Sequence, residues 1–216
     1  MAACGGLCLG LTSASAQYYY PPPAYHSDPA REIGFYLNGD VGPSFVQDFN
    51  SSRFGFPGSF STRPGVRFGV EPGFNFLASD SLTLGAEFET GVIYNYISSI
   101  RNAGAGTNLR GDLYQVPVLG NLVLKLNTDS FVLPYLGVGG GGDYSSVSIR
   151  NQPFFHFGNS TTDDEFDPAV QAMVGVRFRI TPISEVGVGY KFLAAFPNEG
   201  STLTTHAVQA SFTLHF

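Results

Sequence analysis

An all-β fold, an eight-stranded antiparallel up-and-down transmembrane β-barrel, is what this sequence predicts, on three observations. The first is alternation. Val208, Ala210, Phe212, Leu214 and Phe216 interleave with Gln209, Ser211 and Thr213 at the end of the chain, and seven earlier stretches repeat the pattern. A period of two is a strand with one apolar face. The second is composition: the 216 residues include 27 Gly, 20 Phe and 11 Tyr but only 13% charged residues, where a soluble surface carries roughly 25–35%. After the first sixteen residues no run reaches the ~18 apolar residues of a membrane helix. The third is that short and long connections between the strands strictly alternate. A terminal strand bearing exposed phenylalanines would invite pairing with other chains; lipid and a barrel seam would cover it.

Taken in order, residues 1–16, MAACGGLCLGLTSASA, read as a signal peptide ending in an A-x-A site at Ala14-Ser15-Ala16. It lacks a basic n-region, so the start codon is expected upstream; acylation of Cys4 is the competing reading. Both cysteines, Cys4 and Cys8, lie in this leader, and its removal excludes disulfide and thiolate-metal chemistry. Residues 17–32 form a Pro/Tyr-rich periplasmic spacer, because YYYPPPAYHSD favours extended polyproline II. The barrel is expected over 33–216, with strands near 33–46, 64–76, 82–96, 112–126, 131–144, 168–180, 185–193 and 205–216. Each is long enough to cross a bilayer, which takes ~9–11 tilted residues. The connections at 77–81, 127–130 and 181–184 are short and polar, and the others are longer, the longest at 145–166. In an antiparallel barrel this puts short periplasmic turns at one end and long external loops at the other.

A soluble lipocalin-like barrel would share the alternation, but the polar face argues for a lumen. The second strand sets Val66, Phe68, Val70 and Phe74 against Arg67, Gly69, Glu71, Gly73 and Asn75; the third sets Leu84, Ala86 and Phe88 against Gly85, Glu87 and Glu89; the sixth sets Val174, Val176 and Phe178 against Gly175, Arg177 and Arg179. Glycines beside long ionic side chains suit the crowded interior of a narrow barrel. On that face lie the bases Arg67, Lys125, Arg177, Arg179 and Lys191 and the acids Asp40, Glu71, Glu87, Glu89 and Asp143. Charges removed from bulk water need partners, so these residues are expected to form a network that plugs the lumen. Phe68→Arg tests the outward face, at about 2–4 kcal/mol if Phe68 meets the bilayer midplane.

The segments PYLGVGGG at 134–141, VPVLGNL at 116–122, VGVGYKF at 186–192 and the closing FTLHF at 212–216 resemble the outer-membrane β-barrel family that includes the OmpA-like transmembrane domain, OmpX and the opacity-type small porins. The resemblance implies a cell outer-membrane location in a diderm bacterium, with outer-membrane lipid and lipopolysaccharide as surroundings. It also implies that the barrel assembly machinery reads Phe212, Leu214 and Phe216 as its signal. No peptidoglycan-binding domain is expected after the closing strand.

Other chemistry is weaker. Residues 137–142, GVGGGG, satisfy a dinucleotide fingerprint, but no helical stripe follows. A formal charge of -6 offers no basic patch, so no nucleic-acid partner is expected. Ser201 and His206, or His156 with Ser160, are the nearest to a lipid A-modifying enzyme's Ser and His, without its His-x-Ser-Asn arrangement. Phe54, Phe56 and Phe60 in the first external loop, and Phe154, Phe155 and Phe157 in the third, are either a surface for a ligand or part of the membrane's aromatic girdle. Asp163, Asp164, Glu165 and Asp167 lack calcium-loop spacing, so no metal and no cofactor are expected. The function read from the sequence is a non-catalytic outer-membrane barrel with a structural or surface-interaction role. The alternatives are a narrow porin for small solutes and the lipid A-modifying enzyme.

Overall fold

The computed structural model describes residues 32–47, 49–50, 59–102, 105–107, 110–128, 130–150, 161–197 and 201–216. Its strands are β1 (Gly34–Val46), β2 (Phe49–Asn50), β3 (Ser59–Thr62), β4 (Gly65–Ala78), β5 (Leu82–Asn102), β6 (Ala105–Thr107), β7 (Arg110–Leu126), β8 (Val132–Arg150), β9 (Thr161–Thr181), β10 (Ser184–Ala195) and β11 (Leu203–His215). The eight long strands pair antiparallel around a ring, β1-β4-β5-β7-β8-β9-β10-β11. The last closes on the first, from Tyr36 opposite His215 to Val46 opposite Thr205. Closure removes the edges, which is the only way a sheet can stand in lipid.

All eight expected strands are present, and the differences lie at the loop end. Strands β5, β7, β8 and β9 outrun their expected limits there, and Ile149 opposite Thr161 takes part of the expected 145–166 loop into the β8–β9 hairpin. The first external loop adds β2 and β3, with β3 paired to β5 beyond the point where β4 ends. The turn-end connections are tight. Ser79 N–H bonds Leu82 O at 2.8 Å and Thr181 Oγ1 meets Ser184 Oγ at 2.7 Å.

Each strand divides by parity into two faces. Outward residues such as Phe68, Leu122, Val138, Val174 and Phe212 are exposed, whereas inward Asn38, Arg67, Glu89, Asn121 and Lys191 are buried. Aromatic pairs mark the two rims of the apolar band, as girdles do at the two interfaces. Phe35–Phe74 (ring centroids 4.8 Å apart) and Phe131–Phe178 (6.1 Å) lie toward the turn end, and Tyr94–Tyr96 (5.0 Å) and Phe192–His206 (5.4 Å) toward the loop end.

Two lumen tyrosines explain glycines in the strands. A Cβ on Gly73 would lie 2.3 Å from the Tyr36 ring, and one on Gly189 would lie 2.2 Å from the Tyr135 hydroxyl. Each ring lies over a position that only a glycine leaves open, as in aromatic rescue of strand glycines.

Candidate functional site

The candidate site is the barrel interior, which is built in layers from the turn end to the loop end. At the turn end Lys125 Nζ lies 2.8 Å from Glu32 Oε2 and 3.0 Å from Glu185 Oε1. Arg179 also bonds Glu32, and His215 Nε2 stands 3.4 Å from Glu185. Asn75 Nδ2 donates to the Glu32 carbonyl at 2.9 Å. The last residue of the expected spacer therefore reaches into the barrel mouth.

Above it, Glu87 Oε1 accepts from the Tyr36 hydroxyl at 2.9 Å and from Arg177 Nη2 at 3.2 Å. The Arg177 guanidinium also sits 4.8 Å over the Tyr135 ring, a cation–π arrangement. Glutamate, arginine and two tyrosines thus meet from β1, β5, β8 and β9.

The next layer is the most heavily charged. Lys191 of β10 lies with its ammonium 2.9 Å from Asp40 Oδ2, 2.5 Å from Glu71 Oε1 and 3.2 Å from Glu89 Oε2. Arg67 Nε is 3.3 Å from Asp40 Oδ1, and Arg67 Nη2 bonds Glu89. Amides complete the shell: Asn38 donates to Glu71, while Asn121 (2.7 Å) and Gln171 (2.6 Å) donate to Glu89 Oε2. Thr213 holds Asn38 in turn, at 2.7 Å. Lys191 and Arg67 are 2% and 1% exposed. Buried charges persist only when paired and hydrogen-bonded in this way.

Toward the loops the interior passes through a Gln115–Asp143 layer and then turns apolar. Gln115 Nε2 donates to Asp143 Oδ2 at 2.8 Å and Gln115 Oε1 accepts from Thr205 at 3.0 Å. Beyond this lie Phe49, Phe60, Ile93, Ile97, Leu113 and Leu203, packed with other buried apolar residues in one cluster. Phe49 and Phe60 stack with centroids 5.4 Å apart, and Thr62 Oγ1 bonds the Val46 carbonyl at 2.9 Å, which holds the first loop's strand against β1.

The sequence-derived positions fall as follows. Asp40, Arg67, Glu71, Glu89 and Lys191 form one cluster, and Glu87 with Arg177 a second. Lys125 and Arg179 share Glu32, while Asp143 stands apart with Gln115. Glu32 and Glu185 were missed, although Glu185 shares the inward parity of Lys191. The apolar mouth was missed too, because apolar residues on both faces erase the alternation. Phe212 and Phe216 point outward on or just beyond β11, with Phe216 N–H bonded to the Phe35 carbonyl at 3.0 Å. Phe54, Phe56, Phe154, Phe155 and Phe157 lie outside the described residues. Phe60, expected as an exposed loop aromatic, is instead fully buried, because β3 turns it into the apolar mouth. His206 contacts Tyr190 Oη through Nδ1 at 2.5 Å and Gln47 Nε2 through Nε2 at 2.8 Å. Both of its ring nitrogens are thus engaged at the rim.

A closed eight-stranded antiparallel barrel with an apolar outer belt, aromatic rims and a polar interior is a membrane β-barrel of the outer-membrane type. The sequence matches the family model for the outer membrane protein beta-barrel domain over residues 6–216, and the chain belongs to that family and to the outer membrane. No curated protein matches the sequence. Among solved structures the chain is similar to Neisserial surface protein A, at 18% identity over 85% of this chain and 97% of that one with a TM-score of 0.53. It is also similar to the outer membrane protein OprG from Pseudomonas aeruginosa (10%, 85% and 98%, TM-score 0.50) and to the outer membrane protease OmpT from Escherichia coli (8%, 84% and 96%, TM-score 0.51). At these identities the likeness is one of fold.

Proposed function

We propose that this protein is a non-catalytic outer-membrane barrel with a structural or surface-interaction role, whose interior is closed to solutes. The observation that supports the reading most is the double closure of the lumen. The Asp40–Arg67–Glu71–Glu89–Lys191 cluster fills the middle, and the apolar cluster beneath Phe49 and Phe60 fills the loop-end mouth. An eight-stranded barrel has an interior just wide enough for side chains, and here two chemically different layers occupy it. Ions crossing it would have to break buried pairs and then enter a dry apolar layer, which is costly for any charge. The external loops are then the working surface, varying on a rigid scaffold. Lipopolysaccharide and outer-membrane lipid surround the belt, and Phe212, Leu214 and Phe216 are the residues offered to the assembly machinery.

Reconstitution into planar bilayers tests the closure. The expected result is no reproducible conductance steps, in a preparation whose folded fraction is confirmed by heat-modifiable gel mobility. Reproducible steps from folded protein would replace this reading with the narrow porin.

A further inference from the structure

The charges in the middle layer do not balance. Among the described residues, Asp40 on β1, Glu71 on β4 and Glu89 on β5 face only Arg67 on β4 and Lys191 on β10, three carboxylates against two cations. Val70 pairs with Thr90, so the next positions, Glu71 and Glu89, oppose each other directly, an unfavourable placement for like charges. The neighbouring layers do not make up the difference. On the turn side Glu87 and Arg177 neutralise each other at 3.2 Å, with Tyr36 and Tyr135 against them. On the loop side β7 and β9 contribute the neutral Asn121, Gln115 and Gln171, and the buried ionisable groups beyond, among the described residues, are the acids Asp143 and Asp167. The layer is also short of donors. Gln171 is 3% exposed, and its Oε1 has no hydrogen-bond donor among the described residues.

A buried cluster with a net charge is far more costly than a neutral one. We propose that this five-residue cluster closes around one bound proton, carried by Glu71. The contacts select Glu71 from the three acids. Asp40 touches both cations, and Glu89 touches both cations and two amides. Glu71 touches one cation, Lys191, and one amide, Asn38. It is therefore the carboxylate least supported as an anion. The proton comes from solvent as the barrel closes and forms an O–H bond on the Glu71 carboxylate; Lys191 and Arg67 keep theirs. The Asn38 amide can turn so that its oxygen accepts this O–H while its NH2 donates to Thr213 Oγ1, since amide orientation follows the network around it.

The test is the proton balance of folding. Urea-unfolded chain is diluted into detergent micelles at neutral pH in weak buffer, with an indicator dye recording proton uptake. Wild type is expected to take up about one proton per chain more than Glu71→Gln. The infrared spectrum of the folded wild type should show a protonated-carboxyl band that Glu71→Gln lacks. Because the folded state binds the extra proton, stability must fall as pH rises. The wild-type urea midpoint should therefore drop from neutral to mildly alkaline pH, while that of Glu71→Gln holds. Glu87→Gln, which breaks the balanced Glu87–Arg177 pair, should lower the midpoint at every pH and leave the uptake unchanged. Equal uptake in wild type and Glu71→Gln would overturn the proposal. So would a wild-type midpoint that rises when choline is replaced by sodium or potassium at fixed ionic strength, which would assign the missing charge to an alkali cation. If Glu71→Gln does not fold, the wild-type carboxyl band alone decides: its absence overturns the proposal.

Discussion

Replacing Lys191 with methionine is expected to destabilise the folded barrel by about 3–5 kcal/mol, the cost of removing one partner from a buried ionic cluster. The side chain sits on β10 and reaches carboxylates on β1, β4 and β5, so it ties the closing strands to the far wall of the barrel. Methionine fills a similar volume, which leaves charge as the main change. Without the ammonium, Arg67 is the one cation left in the cluster against the anions Asp40 and Glu89. Urea titration of reversible folding into micelles or vesicles, read by tryptophan-independent probes such as heat-modifiable mobility or circular dichroism, measures the loss. Asp40→Asn in the same background removes one of the stranded charges and should restore part of it. A coupling of about 0.5–3 kcal/mol between the two sites is the range for contacting residues. A loss below about 1 kcal/mol, the range of exposed ion pairs, would mean that the cluster is hydrated and would remove its role as a plug.

The fold could be read from the sequence where the two faces of a strand differ in chemistry, and it was lost where they do not. Arg67, Glu71 and Asn75 alternate with Phe68, Val70 and Phe74, and β4 appeared almost in full. On β5 the inward residues change from Glu87 and Glu89 to Ile93 and Ile97 as the lumen turns apolar. Beyond Tyr96, Ser98, Ser99, Arg101 and Asn102 make both faces polar, the period of two vanishes, and the strand's last residues read as loop. The start of β9 failed for the same reason. Asp163, Asp164 and Glu165 are poor strand formers, yet the register with β8 carries the ladder through them. Lys191 and Glu71 could be assigned to one face by parity, but 120 residues separate them in sequence, and only the shear of the closed barrel brings them to one level. Glu32 lies before the alternation begins, and nothing local distinguishes it from the spacer.

Val138→Arg is expected to cost about 2–4 kcal/mol, the penalty of an arginine at the bilayer midplane of a barrel. Val138 is outward on β8 and 58% exposed without lipid. It pairs with Leu122 on one side and Ala172 on the other. Along β8 it lies three outward steps from Tyr144 at the loop-end rim, and three from Val132 beside the Phe131–Phe178 pair at the other. That places it midway between the two aromatic rims. Phe68 lies higher: it pairs with Val92, one outward step below Tyr94. Phe68→Arg should therefore cost less than Val138→Arg, because the penalty falls to about 0–1 kcal/mol near the interface, where a long side chain can snorkel to the headgroups. Folding free energies of the two variants in lipid vesicles give the depth scale directly. If the outward face met water instead, both would behave as ordinary surface substitutions, within about 0.5 kcal/mol of wild type. A clear loss at Val138 with a smaller one at Phe68 requires hydrocarbon outside the barrel, deepest at the level where Val138, Leu122 and Ala172 meet.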